Sequence, residues 1–229
     1  MTVAAAVTGG RAGAEDGGAV AAVTVAAALA VASAERRLLE ALRGCGRRAS
    51  VATAARALSF GGEHGALWLA AGLTGAAVDP ERRAGWLRGT ALIAGAHLAS
   101  MGVKRVVRRP RPGTAQYAPL VRTAGRHSFP SSHATSAVAA AVAFGALRPK
   151  ARRLAAPVAA AMCVSRLVVG VHYPTDVAAG ALLGAVTATL GRAWLRAPGP
   201  ACRPPHARVA PLPPTALKAV APLPGGGRG

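Results

Sequence analysis

The sequence predicts an all-α protein: an integral membrane helical bundle of five to six helices with its active site at one membrane face. Three observations carry this. Apolar runs recur along the chain without the alternation of strands. Hydrophobic residues make up 52% of the 229 residues and charged ones only 16%, against about 25% charge in an ordinary soluble domain. The histidine-bearing polar clusters fall between the apolar runs, where chemistry at a membrane face would sit.

Residues 1–34 read as a flexible, Gly-rich lead followed by a short apolar helix, GAVAAVTVAAALAVAS. Sixteen such residues span about 24 Å, less than the ~30 Å of a bilayer core. Residues 35–58 interleave Arg36, Arg37, Arg43, Arg47, Arg48 and Arg56 with Leu and Ala, the pattern of an amphipathic basic helix on a membrane surface. A membrane domain over 59–197 follows, with apolar segments near 61–78, 84–103, 134–147, 154–170 and 177–195. Helices suit this plan because they satisfy their own backbone polar groups in lipid. From 198 to 229 the composition turns to Pro, Ala and Gly and reads as a disordered tail.

Lys and Arg number 28 against 8 Asp and Glu, a net charge of +20, which suits anionic partners. Cys45, Cys163 and Cys202 make an odd set without a CxxC, so neither a disulfide framework nor a zinc site is expected. No basic n-region precedes a long apolar core at the start, so no cleaved signal peptide is expected.

Three clusters interrupt the apolar plan: KRVVRRPRP at 104–112, PSSH at 130–133 and SRLVVGVHYPTD at 165–176. Counting helices puts all three on one side of the bundle. Pro110 and Pro112 hold Arg111 in an extended segment past the helix bearing Lys104. Pro130 fixes the chain before a helix that Ser131 or Ser132 caps. Gly170 and Pro174 break the chain so that His172 lies in a turn, with Asp176 expected as the N-cap of the next helix.

Together these residues resemble the type 2 phosphatidic acid phosphatase superfamily, which includes the bacterial vanadium haloperoxidases. Lys104, Arg111 and Pro112 fill its K-x6-R-P element; Pro130, Ser131 and His133 fill P-S-x-H, with Ser132 where glycine is commoner; Ser165, Arg166, His172 and Asp176 fill S-R-x5-H-x3-D. The resemblance implies a phosphate cradle of Lys104, Arg111, Ser131, Ser132 and Arg166. Cations there would neutralise a transition state whose charge spreads over the equatorial oxygens. It implies His172 as the nucleophile, Asp176 as the partner of its other nitrogen, and His133 as proton donor to the leaving oxygen. No metal and no cofactor is implied.

The reading is then a membrane phosphatase that hydrolyses a lipid phosphate or diphosphate through a phosphohistidine. The family suggests phosphatidic acid, phosphatidylglycerol phosphate, a polyprenyl diphosphate or a polyprenyl-linked phosphoribose. Partners are the lipid substrate and membrane lipids, with no nucleic acid. Two rivals stand beside it. A vanadate-dependent haloperoxidase would use the same cradle, and a non-enzymatic basic membrane or nucleic-acid-binding protein would explain the charge but not the histidines. Outside the pattern, Arg105, Arg108 and Arg109 are expected to face lipid phosphates, His127 to be a loop histidine and His97 to pack between helices. Glu63 and His64, in GGEHG, suit a helix start, and His206 belongs to the tail.

Overall fold

A computed structural model describes residues 9–113, 118–123 and 125–198, and its regular elements are all helical. They are α1 (Gly9–Cys45), α2 (Ala49–Gly61), α3 (Ala66–Val78), α4 (Arg83–Val107), α5 (Ser132–Leu147), α6 (Pro149–Val168), α7 (Pro174–Leu190) and the short α8 (Arg192–Arg196). Among the described residues seven helices of thirteen residues or more match the short apolar helix, the amphipathic helix and the five apolar segments of the sequence. The difference lies in the basic segment. Instead of one helix over 35–58, α1 runs on to Cys45, a turn follows at Gly46–Arg48, and α2 starts anew. Residues 9–18, expected to be flexible, belong to α1. The first eight residues and the tail from residue 199, with Cys202 and His206, lie outside the described residues.

Helix α5 is the centre. It packs against α4, α6 and α7, and its buried face is alanine and hydroxyl: Ala134, Thr135, Ser136, Ala137, Ala139, Ala140 and Ala143. Small side chains let helix axes approach closely, as in membrane bundles. The α5–α7 contact shows this most sharply. A methyl group at Gly180 would sit 2.4 Å from the Ser131 carbonyl oxygen, and one at Gly184 would sit 2.2 Å from that of Thr135. Around α5 a larger apolar cluster collects Trp68, Trp86, Ile93, Phe144, Met162 and Leu195.

Two kinds of ends result. At one, Asp79 accepts from Arg148 Nε and Nη2, both at 2.8 Å, and from Trp86 Nε1 at 3.0 Å, which ties the α3–α4 connection to the start of α6. At the other end lie the α4–α5 and α6–α7 connections that carry the three polar clusters.

The outside of the bundle carries many apolar side chains. Leu73, Val78, Leu87, Leu98, Leu154, Leu182, Val186 and Leu190 are exposed, while Ser100, Ser128, Ser131, Thr135 and Ser165 are buried. Among the described residues no helix is long and apolar enough to cross a membrane. The reason is compositional. Helices α5 and α7 hold 16 and 17 residues, and the longer α4 and α6 carry Arg88 and Lys104, and Lys150 to Arg153 with Arg166, along their length.

Candidate active site

A cavity of about 380 Å³ opens at the end bearing the polar clusters. Lys104, Arg111, Ser132, His133, Arg166 and His172 all border it, so three separated stretches of chain meet on one space.

Lys104 lies in the last turn of α4. Its Nζ donates to the Ser128 carbonyl at 3.4 Å and to that of Pro130, which draws the loop ahead of α5 onto α4. Helix α4 ends because Arg108 adopts a left-handed conformation (φ 52°, ψ 28°), a common way to close a helix. The turned-back chain brings Arg111 over the α6–α7 connection. There its Nε donates to the Gly125 carbonyl at 2.8 Å and its Nη1 to that of Val171 at 2.9 Å.

Helix α6 carries Arg166 in its last turn. The residue is buried, lines the cavity, and its Nε has no hydrogen-bond partner. An orphaned, buried guanidinium donor facing a cavity is the mark of an anion site, because leaving it unpaired is costly. Beyond it the chain breaks at Gly170, whose φ of 75° a side chain would resist. His172 therefore falls in the turn, and Pro174 begins α7. The N-cap of α7 is Tyr173. Asp176 sits at the third helical position, where its Oδ2 accepts from the Tyr173 backbone N–H at 2.8 Å as half of a capping box. It was expected at the cap itself. Tyr173 takes that place because Pro174, with φ already fixed, suits the first helical position.

His172 is 2% exposed, and its two nitrogens face different groups. Nδ1 looks at Asp176 Oδ2 across 3.6 Å, and Nε2 lies 3.5 Å from Arg111 Nη1. A carboxylate favours the proton on Nδ1, and a guanidinium only donates, so Nε2 keeps its lone pair on the cavity side. The distance to Asp176 is longer than a formed hydrogen bond, as is common in catalytic pairs that tighten around substrate. Burial pushes the His172 pKa down from 6.5 to about 4; the Asp176 carboxylate opposes this, and Lys104, Arg166 and Arg111 reinforce it. The ring is neutral at neutral pH.

His133, on the first turn of α5, has the complementary arrangement. Its Nε2 is 3.0 Å from the Ser59 carbonyl of α2, which only accepts, so Nε2 holds a proton and Nδ1 is the nitrogen left for proton exchange. Of the two expected serines, Ser132 borders the cavity and its hydroxyl accepts from Ser100 at 2.7 Å. Ser131 does not border it. Its hydroxyl accepts from the Ala134 N–H at 3.4 Å and caps α5, an N-terminal helix position that takes a side-chain oxygen inward.

The family model for the PAP2 superfamily matches residues 85–199. The chain belongs to the PAP2 superfamily. A decaprenylphosphoryl-5-phosphoribose phosphatase of Mycolicibacterium smegmatis is 48% identical over 135 residues, which cover 58% of this chain and 73% of that protein. One of Mycobacterium tuberculosis is 43% identical over 145 residues, 62% of this chain and 80% of that protein. A lipid A 1-phosphatase of Rhizobium johnstonii is 37% identical over 89 residues, 36% of each chain. The crystal structure of a transmembrane PAP2 type phosphatidylglycerolphosphate phosphatase from Bacillus subtilis is similar with a TM-score of 0.47 and 20% identity, over 70% of this chain and 94% of that one. With relatives at 43–48% identity named as phosphatases, this PAP2 protein is a phosphoric monoester hydrolase.

The PAP2 phosphatase also holds residues at its site that the motifs do not contain. Arg109 was expected to face lipid. Instead its Nη1 donates to Asp176 Oδ1 at 2.8 Å and Thr175 Oγ1 at 2.7 Å, its Nη2 donates to Glu35 Oε2 at 2.9 Å, and the guanidinium stacks on Tyr173 at 4.0 Å. Burial lowers the Arg109 pKa, but Asp176 and Glu35 outweigh it and leave the pKa raised. Glu35 comes from α1, and its Oε1 accepts from the Thr175 N–H at 3.0 Å and from the Thr175 hydroxyl. The signal for this was available: with only 8 acidic residues against 28 basic ones, a carboxylate among buried helices needs a named cation. Arg105, His97, His127, Glu63 and His64 border the cavity as well. His97 does pack between helices, with Nδ1 2.9 Å from Ser136 Oγ.

Proposed function

We propose that this PAP2 phosphatase is a multi-pass membrane protein that hydrolyses the phosphate monoester of a lipid-linked substrate through a phosphohistidine on His172. The observation that carries the reading is the pair of histidines with opposite free nitrogens, Nε2 on His172 and Nδ1 on His133, on one cavity with Lys104, Arg111 and Arg166.

The phosphoryl group rests against Lys104, Arg111 and Arg166, with Ser132 and the N-terminus of α5 adding donors. His172 Nε2 attacks phosphorus. The N–P bond forms as the ester P–O bond breaks, and the electron pair goes to the leaving oxygen. His133, protonated in the field of the bound dianion, gives its Nδ1 proton to that oxygen. Water then attacks phosphorus, its proton returns to His133 Nδ1, and the N–P bond breaks to release phosphate. Asp176 keeps the Nδ1 proton of His172 in place and stabilises the charged ring. In this scheme three side-chain cations carry the charge neutralisation that divalent metals supply elsewhere.

Two observations support a lipid-linked substrate in a membrane. The relatives are named for decaprenyl-linked and lipid A phosphates. Leucines and valines such as Leu73, Leu98, Leu182, Val186 and Leu190 are exposed on the bundle while serines such as Ser100, Ser128 and Ser165 are buried, an arrangement that suits a lipid surround. The test is a phosphate-release screen of detergent-purified protein over lipid phosphates, with His133→Ala and His172→Ala as controls. Release from a lipid monoester, lost in both variants, is the expected result; release that survives in both would refute the scheme.

A further inference from the structure

The loop GGEHG joins α2 to α3, ahead of the residues that the PAP2 match covers. It is clamped at both ends onto the site. A methyl group at Gly62 would lie 2.6 Å from Met162 Sδ and 2.7 Å from His133 Cδ2, so the loop backbone rests on the acid–base histidine. At Gly65, whose φ is 75°, a methyl group would lie 3.3 Å from Ser136 Oγ and 3.8 Å from His97 Nδ1. Between the clamps His64 is held left-handed (φ 53°, ψ 16°). A non-glycine residue in that region is strained, and such strain persists where the surroundings enforce it, often at ligand sites.

The two residues so held, Glu63 and His64, border the cavity and are exposed to it. Glu63 is the only carboxylate among the described residues of the cavity wall. Its carboxylate makes no hydrogen bond or ion pair among the described residues, although its charge is felt at Arg166. A lone acceptor in a cationic phosphate pocket is a puzzle, because a phosphate dianion repels it. Its natural partner is a donor carried by the rest of the substrate. An ionised carboxylate only accepts, and hydroxyl groups are the donors it fits. Glu63 and His64 line the same cavity as His133, the proposed donor to the leaving oxygen, so that partner is placed on the leaving-group side.

We propose that Glu63 and His64 form a subsite for a polyhydroxylated leaving alcohol, a sugar esterified through the phosphate that His172 attacks. This rests on the proposed role of His133 at the leaving oxygen. Glu63 accepts from one or two hydroxyls of the sugar, and His64 adds a ring nitrogen beside it. A site built to bond a hydroxyl discriminates strongly against the analogue that lacks it, whereas the cationic cradle treats both alike.

The experiment compares kcat/KM of the full chain in detergent for ribose 5-phosphate and for tetrahydrofurfuryl phosphate, the same ring and phosphate without the hydroxyls. The wild type is expected to favour the sugar by roughly tenfold or more. Glu63→Ala is expected to reduce that ratio to within about twofold of unity, whatever common change the lost charge beside Arg166 makes to both compounds; Glu63→Gln, which still accepts, keeps part of the preference. Equal turnover of the two compounds by wild type, turnover of neither, or an equal loss on both in Glu63→Ala would overturn the proposal. Phosphate release from lipid monoesters, abolished by His172→Ala, reports separately on the phosphatase scheme.

Discussion

Arg109 Nη1 donates to Asp176 Oδ1 across 2.8 Å, and the opposite oxygen of that carboxylate faces His172 Nδ1 across 3.6 Å. One arginine therefore fixes the rotamer of the carboxylate that orients the nucleophile, and Glu35 of α1 fixes the arginine in turn. Arg109→Ala is expected to lower kcat on the order of ten- to a hundredfold, the scale seen for groups that orient a working histidine, with KM little changed. Arg109→Lys restores part of it. A purely structural role would leave the pH profile in place. Here, losing a positive charge beside Asp176 raises the His172 pKa, so the acid limb of kcat/KM moves to higher pH.

In the wild type that limb is expected near pH 4, well below the ordinary imidazole value of 6.5, because burial and three cations hold His172 neutral. The sign follows from the role. The nucleophile is the neutral ring, so activity is full above the limb and falls as pH drops through it. A histidine NMR titration of the unliganded protein checks the same number directly. A midpoint near 6.5 would contradict the burial described.

Much of the site was legible because its motifs put charged and nucleophilic residues at fixed spacings on loops between apolar helices. Lys104, Arg111, Arg166, His133 and His172 reach one cavity through helix order alone. What was not legible depended on local backbone closure. The left-handed Arg108 turns Arg109 inward to Asp176 instead of outward to lipid, and the capping demand of α5 takes the Ser131 hydroxyl and leaves Ser132 to the cavity. The boundary between the first two helices was misplaced for a related reason. Arginine-rich periodicity continues across Gly46 without marking the turn there, so one amphipathic segment became the end of α1 and all of α2.

The α5–α7 seam makes a stability prediction. Gly184→Ala places a methyl group 2.2 Å from the Thr135 carbonyl oxygen, a backbone atom that cannot yield. A loss of about 1–3 kcal/mol is expected from overpacking, read as a lower thermal midpoint in detergent. Gly95→Ala, on an exposed stretch of α4 with nothing within 4 Å, is the control. It is expected to stabilise slightly, by up to ~1 kcal/mol of helix propensity.

Vanadate mimics a phosphorus centre with five oxygen neighbours and suits a cavity bounded by Lys104, Arg111 and Arg166. It is expected to inhibit competitively, and Arg166→Ala is expected to raise the inhibitory concentration by at least tenfold, since it removes a buried bidentate donor. A chelator should leave phosphate release intact. Halide oxidation by the vanadate-loaded protein would instead favour the haloperoxidase rival.

The most direct test of the account is chemical trapping of the covalent intermediate. Protein quenched during turnover of phosphorus-labelled lipid monoester is expected to carry acid-labile label on His172, with no label and no phosphate release in His172→Ala. Label on another residue, or wild-type release from the His172→Ala protein, would contradict it.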